Sequence, residues 1–294
     1  MSLDPSSGAI AALPPLREVI AAHGLSAIKG LGQHFLLDLN LTAKIARAAG
    51  GLEGCAVIEV GPGPGGLTRA ILETGAARLV AIERDERCIA ALQPLIEAGD
   101  GRMEIVEADA LEFDAVAHLR AQGWSGPIKV VANLPYNVGT ALILNWLERP
   151  AELAGITVLV QKEVAERLAA QPRTKAYGRL SVLAQWLCEV DLAFDIGPRA
   201  FTPPPQVTST VVNLIPRQAP PHAAERAALE AVTKAAFGQR RKMLRASLKM
   251  LGTDPAPLLE SAGIAPTARA EELDVEAFCR LANAYASRPL ASDT

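Results

Sequence analysis

The chain has 294 residues, half of them apolar and about a fifth charged, which suits one large domain or a large one with a small companion. Its net charge of −3 gives no global attraction for nucleic acid, so any case for such a partner rests on local charge. No apolar run approaches a membrane span, and the four cysteines and four histidines lack the spacing of a metal site or a redox pair.

The opening stretch, MSLDPSSGAIAALPPLREV, has no basic region leading into a hydrophobic core and does not read as a secretory signal; residues 1–25 are expected to form a flexible lead. Without a signal, Cys55, Cys88, Cys188 and Cys279 are expected to be reduced, mostly buried thiols of a cytoplasmic protein. From about residue 55 to 215, β-branched apolar runs alternate with helical patterns such as LTRAILETG and IAALQPLIEAG. Strands are predicted at 56–60, 78–83, 102–108, 128–133, 156–161, 190–196 and 209–215. The alternation predicts an α/β class fold, a doubly wound seven-stranded sheet that is mostly parallel. A Pro-rich link joins the last two strands and has no room for a crossover helix, so one of them should run antiparallel. After Pro216 the segment RQAPPHAAE reads as a linker, and residues 222–294 are Ala-, Leu- and Arg-rich with helical spacing. The expected division is a catalytic domain over 1–217 and a small C-terminal all-helical domain over 218–294.

The run VIEVGPGPGGLT places Gly61, Gly63, Gly65 and Gly66 between the first of these strands and a helix. Alone it fits the dinucleotide fingerprint, a weak signal. Pro62 and Pro64 argue against a pyrophosphate, because each removes a main-chain N–H that such a ligand would use. A ligand with a ribose and a cationic sulfonium, S-adenosylmethionine, loses little by this, and Glu59 before the loop suits a cation. Glu83 ends the second strand, where a carboxylate can accept both ribose hydroxyls. Asp109, in EADAL at the end of the third, can accept from the exocyclic amine of the cofactor's adenine. Either acid alone is as well read as a solvated strand end; three successive strand ends converging on one crevice favour a methyl donor over NAD.

The fourth strand ends in Asn133-Leu134-Pro135-Tyr136. An exocyclic amine on a base has its lone pair delocalised into the ring and is a poor nucleophile. Two acceptors for its hydrogens, the Asn133 side-chain carbonyl and the Leu134 main-chain carbonyl, would free that lone pair. Pro135 fixes the backbone that aims them, and Tyr136 can stack on the base. The ordinary alternative for NLPY is a tight turn closing a strand.

The segments GQHFLLD (32–38), VIEVGPGPGGLT (57–68), AIERD (81–85), EADAL (107–111), NLPYNV (133–138), LVQKEVAERL (159–168), YGRLSVLAQ (177–185) and FTPPPQVTSTVV (201–212) occur in this order. Together they resemble the ribosomal RNA adenine N6-dimethyltransferases, the small-subunit branch in particular, over about residues 30–250. The resemblance implies a class I S-adenosylmethionine-dependent, Rossmann-like methyltransferase, with S-adenosylhomocysteine as product. It implies that His34 and Leu36 line the methionine end of the cofactor and that Gly61, Gly63, Glu83, Asp109 and Asn133 contact it. Many members carry Asn at the position of His34. It further implies that Phe201 is a second aromatic, opposite Tyr136 across the target adenine. The plain alternative for FTPPPQV is a rigid polyproline connector.

Between Val232 and Met250 the chain carries Lys234, Arg240, Arg241, Lys242, Arg245 and Lys249 and no acid. At helical spacing Arg241, Arg245 and Lys249 share one side, with Phe237, Leu244, Leu248 and Leu251 on another. Such a basic face on a mildly acidic protein is the expected footprint of phosphate contact, and a solvated charged face is the alternative. The reading is therefore an enzyme acting on two adjacent adenosines near the 3′ end of small-subunit (16S) rRNA, as a monomer, with no membrane and no metal. Its rivals are a large-subunit enzyme of the erythromycin-resistance type, a non-catalytic assembly factor of the same fold and, more distantly, a dehydrogenase.

Overall fold

The computed structural model describes residues 5–26 and 32–288. In chain order the elements begin with α1 (Pro5–Ala11), α2 (Leu16–Ala22), β1 (Phe35–Leu36), α3 (Leu39–Ala48) and β2 (Ala56–Val60). They continue with α4 (Gly66–Glu73), β3 (Arg78–Glu83), α5 (Glu86–Ala98), β4 (Met103–Glu107), α6 (Ala115–Ala121) and β5 (Ile128–Asn133). Next come α7 (Gly139–Trp146), β6 (Gly155–Gln161), α8 (Lys162–Ala169), α9 (Arg179–Leu187), β7 (Cys188–Ile196), β8 (Phe201–Thr202) and β9 (Ser209–Pro216). The chain then runs through α10 (Arg226–Gly238), α11 (Leu244–Ser247), α12 (Pro255–Ser261) and α13 (Val275–Ala286).

Seven strands form one sheet in the order β4-β3-β2-β5-β6-β9-β7. The first five run parallel, and β9 pairs antiparallel with β6, so the expected reversal falls on the last strand. All five residues of β2 are buried, as a strand covered on both faces requires. The strand order reverses at β2, where β3 lies on one side and β5 on the other, and a crevice opens at the carboxyl ends of such strands. Short acidic side chains start three helices of this region: Asp38 caps α3, Asp85 caps α5 and Asp114 caps α6. All four cysteines are buried free thiols. No described helix is long and apolar enough to cross a membrane.

Two expectations need correction. Residues 1–25 are not simply a flexible lead: within the described part, α1 and α2 bury Ile10, Leu16 and Val19, and Leu25 follows them into the core. Arg69, itself buried on α4, donates to the Pro14 carbonyl at 2.8 Å and fastens the connection between the two helices. The boundary near residue 217 is also too simple. The chain divides into one unit of Met1–Ala165 with Asp191–Pro216, and another of Glu166–Val190 with Arg217–Thr294. The second half of α8 and all of α9 belong with the C-terminal helices because their apolar side chains are buried there. Tyr177 meets Phe237 edge-on with centroids 5.9 Å apart, Phe237 meets Phe278 at 5.5 Å, and the Trp186 indole N–H donates to the His222 carbonyl at 2.8 Å.

Candidate active site

The crevice at the ends of β2, β3, β4 and β5 is walled by Gly61, Gly63, Glu83, Asp109, Asn133 and the Leu134–Tyr136 turn, with His34 and Phe35 across from them. The main-chain donors of the glycine loop at Gly61, Gly63 and Gly65 are already taken. The Gly61 N–H is bonded to the Ile82 carbonyl at 2.9 Å, the Gly63 N–H to Glu83 Oε2 at 3.2 Å and the Gly65 N–H to the Pro62 carbonyl at 3.0 Å. Pro62 and Pro64 have none to give. A pyrophosphate would find no main-chain donor at any position from 61 to 65, which weighs against the dehydrogenase alternative.

Glu83 is buried and held by three main-chain N–H groups, those of Gly63, Arg84 (2.8 Å) and Asp85 (3.0 Å). Burial pushes its carboxyl above the ordinary value, and the three N–H donors pull the other way. Asp109 sits at the far end of the crevice, one oxygen accepting the Leu111 N–H at 2.9 Å and the other the Arg84 guanidinium at 2.8 Å. Glu59 does not line the crevice. It is 1 % exposed beneath the loop, one carboxylate oxygen has no partner, and burial above all pushes its carboxyl up to about 8. An acidic, phosphate-averse pocket with two carboxylates at successive strand ends fits an adenosyl sulfonium. No group of three or more His, Cys, Asp or Glu side chains among the described residues could hold a metal ion.

Asn133 ends β5 and donates its side-chain amide to the main-chain carbonyl of His34 at 3.1 Å. Its carbonyl oxygen is thereby left for a ligand. In the turn that follows, the Pro135 carbonyl is taken by the N–H groups of Val138 (3.2 Å) and Gly139 (3.0 Å). Tyr136 is half-buried, and its hydroxyl is hydrogen-bonded to Ser209 on β9. The N-terminal segment docks closely on this turn: a Cβ at Gly32 would lie 2.9 Å from Asn137 Oδ1 and 3.2 Å from the Tyr136 nitrogen, and its φ of +64° favours glycine in any case. His34 faces Tyr136 with ring centroids 5.0 Å apart and donates from Nδ1 to the Pro203 carbonyl at 2.8 Å, which sets the proton on that nitrogen.

Two expected site residues lie elsewhere. Leu36 and Phe201 pair in the two-stranded ribbon of β1 and β8, and both are buried in the hydrophobic core rather than on the crevice wall. Phe201 is 2 % exposed, turned inward by the ribbon register instead of lining the crevice beside Tyr136. Phe35, adjacent to Leu36, is the residue that lines the crevice. Gln33, Arg84 and Ser209 also belong to the site or its supports, and all three lie inside segments that the sequence marks out, GQHFLLD, AIERD and FTPPPQVTSTVV. A crevice-lining side chain between two flagged positions was the available signal.

The basic segment is not one helix. α10 ends at Gly238, a turn follows, Met243 forms a bridge with Arg269, and α11 starts afresh at Leu244. Lys234, Arg241, Lys242, Arg245 and Lys249 are exposed. Arg240 is not free for a ligand, because it pairs with Glu271 at 3.0 Å and donates to the Thr174 carbonyl at 3.0 Å. The compensating acid comes from another part of the same unit.

The family signature described as ribosomal RNA adenine dimethylase matches residues 25–287. The chain is 59 % identical over 280 residues to the ribosomal RNA small subunit methyltransferase A of Azorhizobium caulinodans, covering 94 % of each. It is 59 % identical over 281 residues to the protein of the same name from Paramagnetospirillum magneticum, covering 96 % of this chain and 98 % of that one. Among solved structures it is similar to the 23S rRNA methyltransferase ErmE, with 27 % identity, a TM-score of 0.64, and 86 % and 100 % of the two chains covered. A dimethyladenosine transferase from Plasmodium falciparum, at 22 % identity and a TM-score of 0.68 over 84 % and 96 % of the chains, shares the fold.

Proposed function

The chain belongs to the ribosomal RNA adenine dimethylase family, and we propose that it dimethylates N6 of two adjacent adenosines near the 3′ end of small-subunit (16S) rRNA during small-subunit biogenesis. The observation that carries the reading is the Asn133–Tyr136 turn, held open toward the crevice by the His34 carbonyl and Ser209. S-adenosyl-L-methionine supplies the methyl group on a positively charged sulfur, which makes a good leaving group without a metal. The small-subunit assignment follows the relatives at 59 % identity, against 27 % for the large-subunit enzyme.

In this reading Glu83 accepts the ribose hydroxyls, Asp109 accepts the adenine amine of the cofactor, and the main chain at Gly61 and Gly63 gives the loop its shape. His34 and Phe35 close the methionine end. The Asn133 side-chain carbonyl and the Leu134 carbonyl take the two hydrogens of the target amine. That weakens delocalisation into the ring and points the nitrogen lone pair at the methyl. After the first transfer the amine keeps one hydrogen, so one acceptor suffices for the second. The surplus proton of each methylated nitrogen is acidic and passes to water, so no side-chain base is required. Tyr136 stacks on the base and holds it flat, and alignment of nitrogen and methyl supplies much of the rate.

Lys234, Arg241, Lys242, Arg245 and Lys249 supply phosphate contacts from the helical unit. The enzyme works as a monomer in the cytoplasm, where the ribosomal substrate is assembled. The test is incubation with methyl-labelled S-adenosylmethionine and unmethylated small subunits, large subunits and their free RNAs. Label confined to small subunits or their RNA, recovered as dimethyladenosine, is expected. Label in large-subunit RNA, or none with cofactor still bound, would contradict it.

A further inference from the structure

Arg84 binds both crevice carboxylates. Its main-chain N–H donates to Glu83 Oε1 at 2.8 Å, and its guanidinium donates to Asp109 Oδ2 at 2.8 Å. The side chain lines the crevice and is 60 % exposed. The second Asp109 oxygen accepts the Leu111 N–H at 2.9 Å. A carboxylate gripped by a cation on one oxygen and by the main chain on the other keeps one orientation, and its remaining lone pairs point in set directions.

We propose that Arg84 is a positioning residue for the adenine end of the cofactor, holding Asp109 as an oriented, acceptor-only carboxylate that selects a base with an exocyclic amine. The proposal rests on the assignment of Asp109 to that amine. An ionised carboxylate has no hydrogen to donate, so it repels a base with a carbonyl in place of the amine. Released from Arg84, Asp109 rotates, and its lone pairs no longer point in one set direction at the amine. The discrimination then fades. A tie that served stability alone would contribute little, because exposed ion pairs do, and it would affect amine and carbonyl ligands equally.

The experiment is calorimetric binding of S-adenosylhomocysteine and S-inosylhomocysteine to the full chain and to Arg84→Leu, Arg84→Lys and Asp109→Asn variants. The native protein is expected to prefer the adenosyl ligand by roughly 10- to 100-fold, the range for a hydrogen bond to a charged group. In Arg84→Leu that preference should shrink by about tenfold, with the loss on the adenosyl ligand, and Arg84→Lys should restore most of it. Equal weakening of both ligands, or an unchanged preference, overturns the role of Arg84. If Asp109→Asn abolishes a preference that Arg84→Leu leaves intact, this proposal fails while the Asp109 assignment stands. If the native protein shows no preference, the Asp109 assignment fails and takes the proposal with it.

Discussion

Asn133 Nδ2 donates to the main-chain carbonyl of His34 at 3.1 Å, joining the end of the fourth parallel-series strand to a segment 99 residues earlier in the chain. A carboxamide has one donor end and one acceptor end, so this bond decides which end the crevice sees. Asn133→Asp replaces the donor with an oxygen that repels the His34 carbonyl, and Asn133→Ala removes both ends. Each variant should lose about 10²-fold or more in single-turnover methyl transfer through misalignment. RNA affinity by filter binding should be unchanged.

Tyr136 and Ser209 act as a pair. Ser209 is fully buried on β9, and its hydroxyl meets that of Tyr136. Losing one partner strands the other, whereas losing both costs less than the sum. Ser209→Ala and Tyr136→Phe should each slow methyl transfer several-fold, by about 1 kcal/mol of hydrogen bond. The double variant should resemble either single one in a double-mutant cycle. Additive losses would show that the contact does not orient the ring.

Glu59 gives the unliganded protein a pH-dependent stability. Burial, the largest cause, raises its carboxyl from 4.5 to about 8, with Thr68 opposing and Glu83 adding to the rise. Between those values the unfolded chain has released a proton that the folded chain keeps, so stability falls as pH rises through this window and levels off above it. Glu59→Gln carries no charge at any pH and should abolish that slope. Its Tm should exceed the native value near pH 8 and converge with it near pH 5. Parallel curves across the window would contradict this.

The basic residues of the helical unit should separate by their partners. Arg241→Glu and Arg245→Glu should weaken RNA binding most at low salt and reduce the slope of log K against log salt by about one for each phosphate no longer neutralised. Arg240→Ala should instead act on the fold. It leaves Glu271 and the Thr174 carbonyl without their partner, at a cost of no more than about 1 kcal/mol because the pair is one-third exposed.

The N-terminal helices should matter for stability. Ile10 is 1 % exposed in the main core cluster, so Ile10→Ala should cost about 2–5 kcal/mol in denaturant unfolding. A change near zero would mean that the lead is dispensable.

The seven sheet strands were legible within two residues at each end, and most clearly β2, β3, β5 and β6, which are apolar runs bounded by turn residues and largely buried in the parallel part of the sheet. The crevice was legible for the same reason: strand order places Gly61, Glu83, Asp109 and Asn133 together. What escaped depended on contacts between distant segments. The β1–β8 ribbon is two residues long on each side and has no periodicity, yet it decides that Leu36 and Phe201 point into the core. PSSGAIA and LREVIAA are single short helices, the second without a side-chain cap, and the first is identified only by its docking on α4 and α5. Helical spacing carried the basic segment past Gly238, where the bridge of Met243 to Arg269 sets a new direction. Arg240 looked free because its acid, Glu271, lies 31 residues away.

The most direct measurement is mass spectrometry of nuclease fragments from the 3′ end of small-subunit RNA, after reaction of unmethylated subunits with the native protein and with Asn133→Ala. The native protein should place two methyl groups on N6 of each of two adjacent adenosines, and the variant should leave the same fragment unmodified. Methylation elsewhere in the RNA, a single modified adenosine, or full modification by Asn133→Ala would contradict the account.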